Sequence, residues 1–177
     1  MKVVVITGSA HKVGTSAYLA EQFINGAKDA GHDVFRFDAA FKDVHPCIAC
    51  ERCHNTDKGC VFKDDMQELN SHLLDADVIV FVTPIYYYTV NAQIKAVIDR
   101  FYANDAALHK NKKVALLVTM ADDVASTADS AVDMLKGIAD FMEWEIAGTV
   151  IGVDCADLEA LKKTDYPQEA YRLGNSL

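Results

Sequence analysis

The sequence has no apolar run long enough to span a bilayer; its first apolar stretch, Val3 to Ile6, is only a strand's worth. No basic N-terminal region followed by a signal-type core is present either, so no membrane association is expected and the expected compartment is cytoplasmic. Positive charge is scarce as well: 17 Lys and Arg against 26 Asp and Glu leave a formal charge of −9. Nucleic-acid affinity comes largely from neutralising phosphates with Lys and Arg, and here these residues are dispersed, so no nucleic-acid partner is expected. Internal repeats and low-complexity linkers are missing, and 177 residues suit one domain, residues 1–177, with one sizeable core.

Two glycine signatures are also absent. Gly8 and Gly14 stand one residue too far apart for a Walker loop, and Thr15 occupies the place where that loop needs its Lys. A dinucleotide fingerprint needs a second Gly two residues after the first, and Ala10 stands there instead. What Thr7 to Ala20 does contain is a short apolar strand running into a Gly, Ser and Thr loop that opens a helix-like segment. Such a junction aims unpaired backbone N–H groups and hydroxyls at one spot, where a single phosphate can sit without an Arg. The plainer alternative is a strand-to-helix turn capped by Thr15 or Ser16.

Further along, Leu19, Phe23 and Ala27 recur on one helical face, with Gly31 as a stop. Asp33 to Asp38 reads as a strand, and Asp64 is placed to cap a helix that buries Met66, Leu69 and Leu73. Asp77 to Thr83 is an almost unbroken apolar run, as in a parallel strand buried on both faces, and Pro84 is expected to end it. Ile94, Val97, Ile98 and Phe101 then predict a helix packed on the sheet. Lys113 to Met120 and Glu145 to Val153 supply two more strands, separated by a helix with a Ser126/Asp129 capping box. Pro167 is placed to open a last helix that stops at Gly174. This alternation implies an α/β fold whose parallel sheet binds its ligand beyond the carboxyl ends of the strands. Thr7 to Ser16, Thr83 to Tyr88 and Met120 to Asp123 all fall at that edge.

Together these loops resemble the flavodoxin-like flavoproteins, and within them the NAD(P)H-dependent FMN reductases. The resemblance rests on Gly8-Ser9 to Gly14-Thr15-Ser16, on Thr83-Pro84-Ile85-Tyr86 followed by Lys95 and Asp99-Arg100, and on the Cys47 to Met66 segment. It implies a doubly wound, five-stranded parallel sheet in order 2-1-3-4-5 with helices on both faces. It further implies that Ser9, His11, Thr15 and Ser16 hold the FMN phosphate, with Gly14 allowing close backbone approach. Pro84, Ile85, Tyr86, Tyr87 and Tyr88 would meet the flavin ring, and Met120 and Ala121 its far side. The implied chemistry is hydride transfer from NAD(P)H to flavin, then electron release to a small-molecule acceptor such as a quinone, a flavin or an azo compound. Two cofactors carry that chemistry, so no acid–base residue is required. A homodimer is also implied, with the Tyr86 to Tyr88 and Tyr102 to Asn111 loops as candidate surfaces.

Cys47, Cys50, Cys53 and Cys60 form the pattern C-x2-C-x2-C-x6-C. In a reducing compartment structural disulfides are not expected. The first three spacings are those of a ferredoxin-type cluster, and the set resembles the compact motif of iron–sulfur flavoproteins, which would place a 4Fe-4S cluster on these four thiolates. Zinc, a redox pair at Cys50 and Cys53, and four reduced thiols packing a loop remain open. Cys50 to His54 also matches a haem-attachment signature, set aside because that attachment follows export. Cys155 reads as a small core residue.

Overall fold

Three central strands are apolar on both faces because helices cover both sides of the sheet. In the computed structural model, which describes residues 1–109 and 111–177, these are β1 (Lys2–Thr7), β3 (Val78–Tyr86) and β5 (Lys113–Thr119). β2 (Asp33–Asp38) and β6 (Glu145–Gly152) flank them, giving the parallel order β2-β1-β3-β5-β6. A short strand, β4 (Thr89–Val90), pairs antiparallel with the end of β3. Counted alone, the five parallel strands follow the expected order 2-1-3-4-5; the difference is the added sixth strand, β4, which the sequence reading treated as loop.

Side-chain alternation sorts the core into two layers. Val3, Val5, Val80 and Leu117 meet α1 (Thr15–Asp29), α7 (Leu158–Lys162) and α8 (Tyr166–Asn175). Val4, Ile6, Phe81 and Leu116 meet α3 (Met66–Asp75), α4 (Ala92–Asp99) and α6 (Asp129–Met142). Two further single-turn helices, α2 (Arg52–Asn55) and α5 (Asp105–Leu108), sit in the connections. Among the described residues no helix is long and apolar enough to cross a membrane.

Four local expectations shift. β3 runs through Pro84 to Tyr86, because Pro84 lies at the last register position of β3 on β5, opposite Thr119, where its missing N–H breaks little of the ladder. Phe101 leaves the helix and falls in the 3₁₀ turn Arg100–Asn104, yet it is still buried. The Ser126/Asp129 box does not form; a 3₁₀ turn, Ala125–Ala128, precedes α6, and Asp122 braces it by accepting from Val124 N at 2.9 Å and Thr127 Oγ1 at 2.7 Å. Gly174 does not stop α8, which ends at Asn175.

Gly174 instead lets α8 lie on α1. A Cβ there would overlap the Phe23 carbonyl oxygen and come within 2.9 Å of Ala27 N, both backbone atoms that cannot rotate away. Gly174→Ala is expected to cost about 1–3 kcal/mol through overpacking, read as a lower urea midpoint at unchanged slope. An unchanged midpoint would mean that the two helices can separate at no cost.

Candidate active site

The carboxyl edge of the sheet brings together three segments that are far apart in sequence. The first is the loop Gly8 to Gly14, which delivers the backbone into α1; the first-turn N–H groups of that helix lack intrahelical acceptors. Gly14 occupies the N-cap position with no side-chain cap, so the capped turn considered above, on Thr15 or Ser16, is not what forms. Both residues turn their hydroxyls to the end of β5: Thr119 Oγ1 lies 3.0 Å from Thr15 Oγ1 and 2.7 Å from Ser16 Oγ. Because Thr119 is also in register with Pro84, this hydroxyl trio joins the first loop to the ends of β3 and β5.

Asn91 ties the same segments from the other side. It is buried, caps α4 by accepting from Ile94 N at 3.3 Å, receives the Thr83 hydroxyl at 3.3 Å, and donates Nδ2 to the Gly8 carbonyl. Its own N–H donates to Thr83 Oγ1 at 3.2 Å. Gly8 must be glycine here, since a Cβ would stand within 2.9 Å of Asn91 Cγ and 2.5 Å of Ile94 Cγ1. Neither Asn91 nor Thr119 was a sequence candidate. Asn91 carried a signal, an Asn directly before an apolar-periodic helix; Thr119 carried none, because its partners are over a hundred residues away.

Other candidates fall as follows. Ser9 is buried and its Oγ accepts from His11 N at 3.2 Å, while the His11 side chain is exposed. Pro84 and Ile85 are half-buried at the edge. Tyr86, Tyr87 and Tyr88 form the tip of a β3–β4 hairpin rather than an irregular loop, with φ of 48° at Tyr87 and 68° at Tyr88. Two consecutive positive φ values are the mark of a mirror-image hairpin turn, one normally filled by Asn and Gly. Bulky residues there are strained, and Ser130 Oγ holds the turn by donating to the Tyr88 carbonyl at 2.6 Å. Ala121 is exposed at the edge, but Met120 is turned into the core, where it is 5% exposed. Next to the first loop, Lys12, Arg36 and Lys42 join Thr7, Ser9 and His11 around a recess, so positive charge is closer than the loop sequence alone indicated. Asp38 tempers it, accepting from Thr7 Oγ1 at 2.6 Å and Arg36 Nε at 2.9 Å.

Cys47, Cys50, Cys53 and Cys60 line a single, mostly apolar recess at the foot of α4, and all are free thiols. Cys155, by contrast, is buried in the other core layer, as its sequence position indicated. The backbone between Cys47 and Cys53 is left-handed at Ala49 and Glu51; Cys47 and Cys50 are exposed, while Cys53 and Cys60 are half-buried. Burial pushes the Cys53 thiol up, and the charges of Cys60, Cys47 and Cys50 push it further. The segment is anchored at both ends by one ion pair. Asp64, just beyond Cys60, accepts from Arg100 Nη1 at 2.6 Å and Nη2 at 3.1 Å, and also from the N–H of His45, just before Cys47, at 3.1 Å. Arg100 Nη1 in turn donates to the His45 carbonyl at 2.8 Å.

A family model described as NADPH-dependent FMN reductase matches residues 1–154. The chain belongs to the NADPH-dependent FMN reductase family. Within that family's reach, an iron-sulfur flavoprotein of Methanocaldococcus jannaschii is 36% identical over 114 residues, covering 64% of this chain and 56% of that protein. An iron-sulfur flavoprotein of Archaeoglobus fulgidus is 34% identical over 135 residues, covering 75% and 68%. The chain spans about half the length of most of these relatives. An NAD(P)H:quinone oxidoreductase structure from Methanothermobacter marburgensis superposes with a TM-score of 0.74 at 16% identity, over 98% of this chain and 94% of that one, a likeness of fold.

The flavin that this family binds fits the edge: open N–H groups at the start of α1 suit a phosphate, and the half-buried Pro84 and Ile85 offer an apolar wall. The cysteine recess poses a different test. Among the described residues no three His, Cys, Asp or Glu side chains close tightly enough around one point for a single metal ion. Four thiols spread around one apolar hollow instead suit a larger group held at its corners, which is how thiolates hold an iron–sulfur cluster.

Proposed function

We propose that the chain, acting as one domain over residues 1–177, binds FMN along this edge and oxidises NAD(P)H in favour of a small acceptor such as a quinone, a flavin or an azo compound. The observation that supports this reading is the hydroxyl trio of Thr15, Ser16 and Thr119, which joins the Gly8 to Gly14 loop to the strand end beside Pro84 in a chain of the FMN reductase family. When bound, FMN supplies the capacity to take up a hydride and to release electrons singly or in pairs. The protein's part is to bind and orient. The N–H groups opening α1, with Ser9, His11, Thr15 and Ser16, hold the phosphate; Gly14 keeps its backbone close. Pro84 and Ile85 form the wall of the ring slot, with Ala121 opposite, and the tyrosine hairpin keeps water from it. Met120 supports that side from beneath.

The same hairpin suits contact with a second copy of the chain. Tyr87 is 99% exposed, and Tyr86 and Tyr88 are exposed beside it, a cluster of the kind enriched at subunit interfaces. We therefore read the protein as a homodimer.

One observation favours a second reading, the four thiols sharing one recess. Here Cys47, Cys50, Cys53 and Cys60 hold a 4Fe-4S cluster and the protein passes single electrons between partners. A visible spectrum with an iron assay, taken on anaerobically purified protein before and after NADPH, separates the two. Flavin bands that bleach with NADPH support the reductase; flavin with about four irons per chain and no bleaching supports the carrier. Protein that takes up no FMN would sink both.

A further inference from the structure

Arg100 is 4% exposed, and its guanidinium is only partly used. Nη1 and Nη2 serve Asp64 and the His45 carbonyl, but Nε is buried with no hydrogen-bond partner among the described residues. A buried donor left unpaired is costly, a cost that a ligand would relieve. Arg100 also forms part of the wall of the cysteine recess, beside Cys60, and is the one cation among the residues lining it. The remaining charged lining residues, Glu51 and Asp99, are acidic, and Asp64 lies outside the lining. Anionic sulfur placed in this hollow therefore has one cation in its wall, with Lys58 and Lys63 lining the adjoining recess that Cys60 and Arg100 also share. Desolvation pulls the Arg100 pKa down, but Asp64 outweighs it, with the Cys60 sulfur adding to the rise; the guanidinium stays charged.

We propose that Arg100 is a positioning residue for the occupant of the cysteine recess, donating its spare Nε–H to the Cys60 sulfur and raising the reduction potential of an iron–sulfur cluster held there. This rests on the cluster reading above. Reduction adds one electron to the recess without a proton, so the filled site becomes more negative and a buried cation beside it favours the reduced form. A hydrogen bond to the ligating sulfur acts in the same direction. In a titration the electron comes from dithionite.

The test is a dithionite titration of the full chain, reconstituted with iron and sulfide and followed by electron paramagnetic resonance. Arg100→Gln/Asp64→Asn removes both charges together, leaving no lone buried ion. At a given applied potential its reduced-to-oxidised ratio is expected to fall about tenfold, a midpoint about 59 mV more negative for one electron. Arg100→Lys keeps the charge without the Nε–H and is expected to fall between the two. A double variant that keeps its iron and shows the wild-type midpoint would overturn the proposal and leave the cluster reading intact. If the double variant loses its iron, Arg100→Lys decides: a more negative midpoint supports the Nε–H contact and an unchanged one overturns it. Wild-type chain that takes up no iron overturns the cluster reading and this proposal with it.

Discussion

Arg100→Ala is expected to lower the unfolding free energy by about 3–5 kcal/mol, the cost of leaving a buried charge without its partner. Asp64 has a side chain only 1% exposed, so water cannot replace the guanidinium. The His45 carbonyl would lose its donor in the same step. Two arms of the cysteine segment, held near each other by these bonds, would then be free to part. Urea unfolding at neutral pH measures the loss. A change under about 1 kcal/mol would mean that the pair behaves like an exposed one, with solvent entering the foot of α4.

The acid limb gives a second view of the same pair. Burial alone would raise the Asp64 pKa, but the Arg100 hydrogen bonds, the N–H groups of His45 and Met66 and the guanidinium charge outweigh it, holding the carboxyl below its ordinary 3.8. A folded-state value below the unfolded one means that this stabilisation is complete above about pH 3.8 and is lost as pH falls through the folded value. Wild-type protein should therefore lose stability below pH 3.8. In Arg100→Ala the folded-state carboxyl loses its main stabiliser, so that drop should shrink or reverse.

The contrast between strands and site shows what a single sequence can carry. Val78 to Val82 and Val114 to Val118 announce buried parallel strands because burial on both faces leaves a local record, an unbroken apolar run. The phosphate loop is legible for a similar reason, since a strand, small hydroxyl residues and a helix follow each other directly. Contacts across the sheet leave no such record. Thr119 looks like the last residue of an apolar strand, and its place under Thr15 and Ser16 follows only from β1 and β5 flanking β3. The tyrosine hairpin was hidden differently: Tyr87 and Tyr88 adopt positive φ against their own preference, so turn chemistry read from the sequence points away from it. Arg100 was noticed as part of an Asp99-Arg100 pair, but its partner proved to be Asp64, 36 residues upstream.

Asn91→Ala is expected to cost about 2–4 kcal/mol, combining a lost helix cap with buried polar groups left unpaired. Alanine cannot accept from Ile94 N, the Thr83 hydroxyl is left with the Pro84 carbonyl at 2.8 Å, and the Gly8 carbonyl loses the Asn91 Nδ2 donor. That last bond anchors the start of the proposed phosphate loop. Its loss should therefore weaken FMN binding beyond what instability alone explains, by about tenfold, equivalent to roughly 1.4 kcal/mol. Asn91→Asp separates the two roles. The carboxylate can still cap α4, where negative charge at a helix start is favourable, but it cannot donate, and it sets an anion against the Gly8 carbonyl. Fluorescence titration with FMN at a temperature where all three proteins stay folded provides the comparison. Asp at this position should recover much of the stability while binding FMN as weakly as Ala or more so. Recovery of both together would show that the cap alone matters, and that Gly8 keeps its place through Val82, whose carbonyl accepts the Gly8 N–H at 2.9 Å.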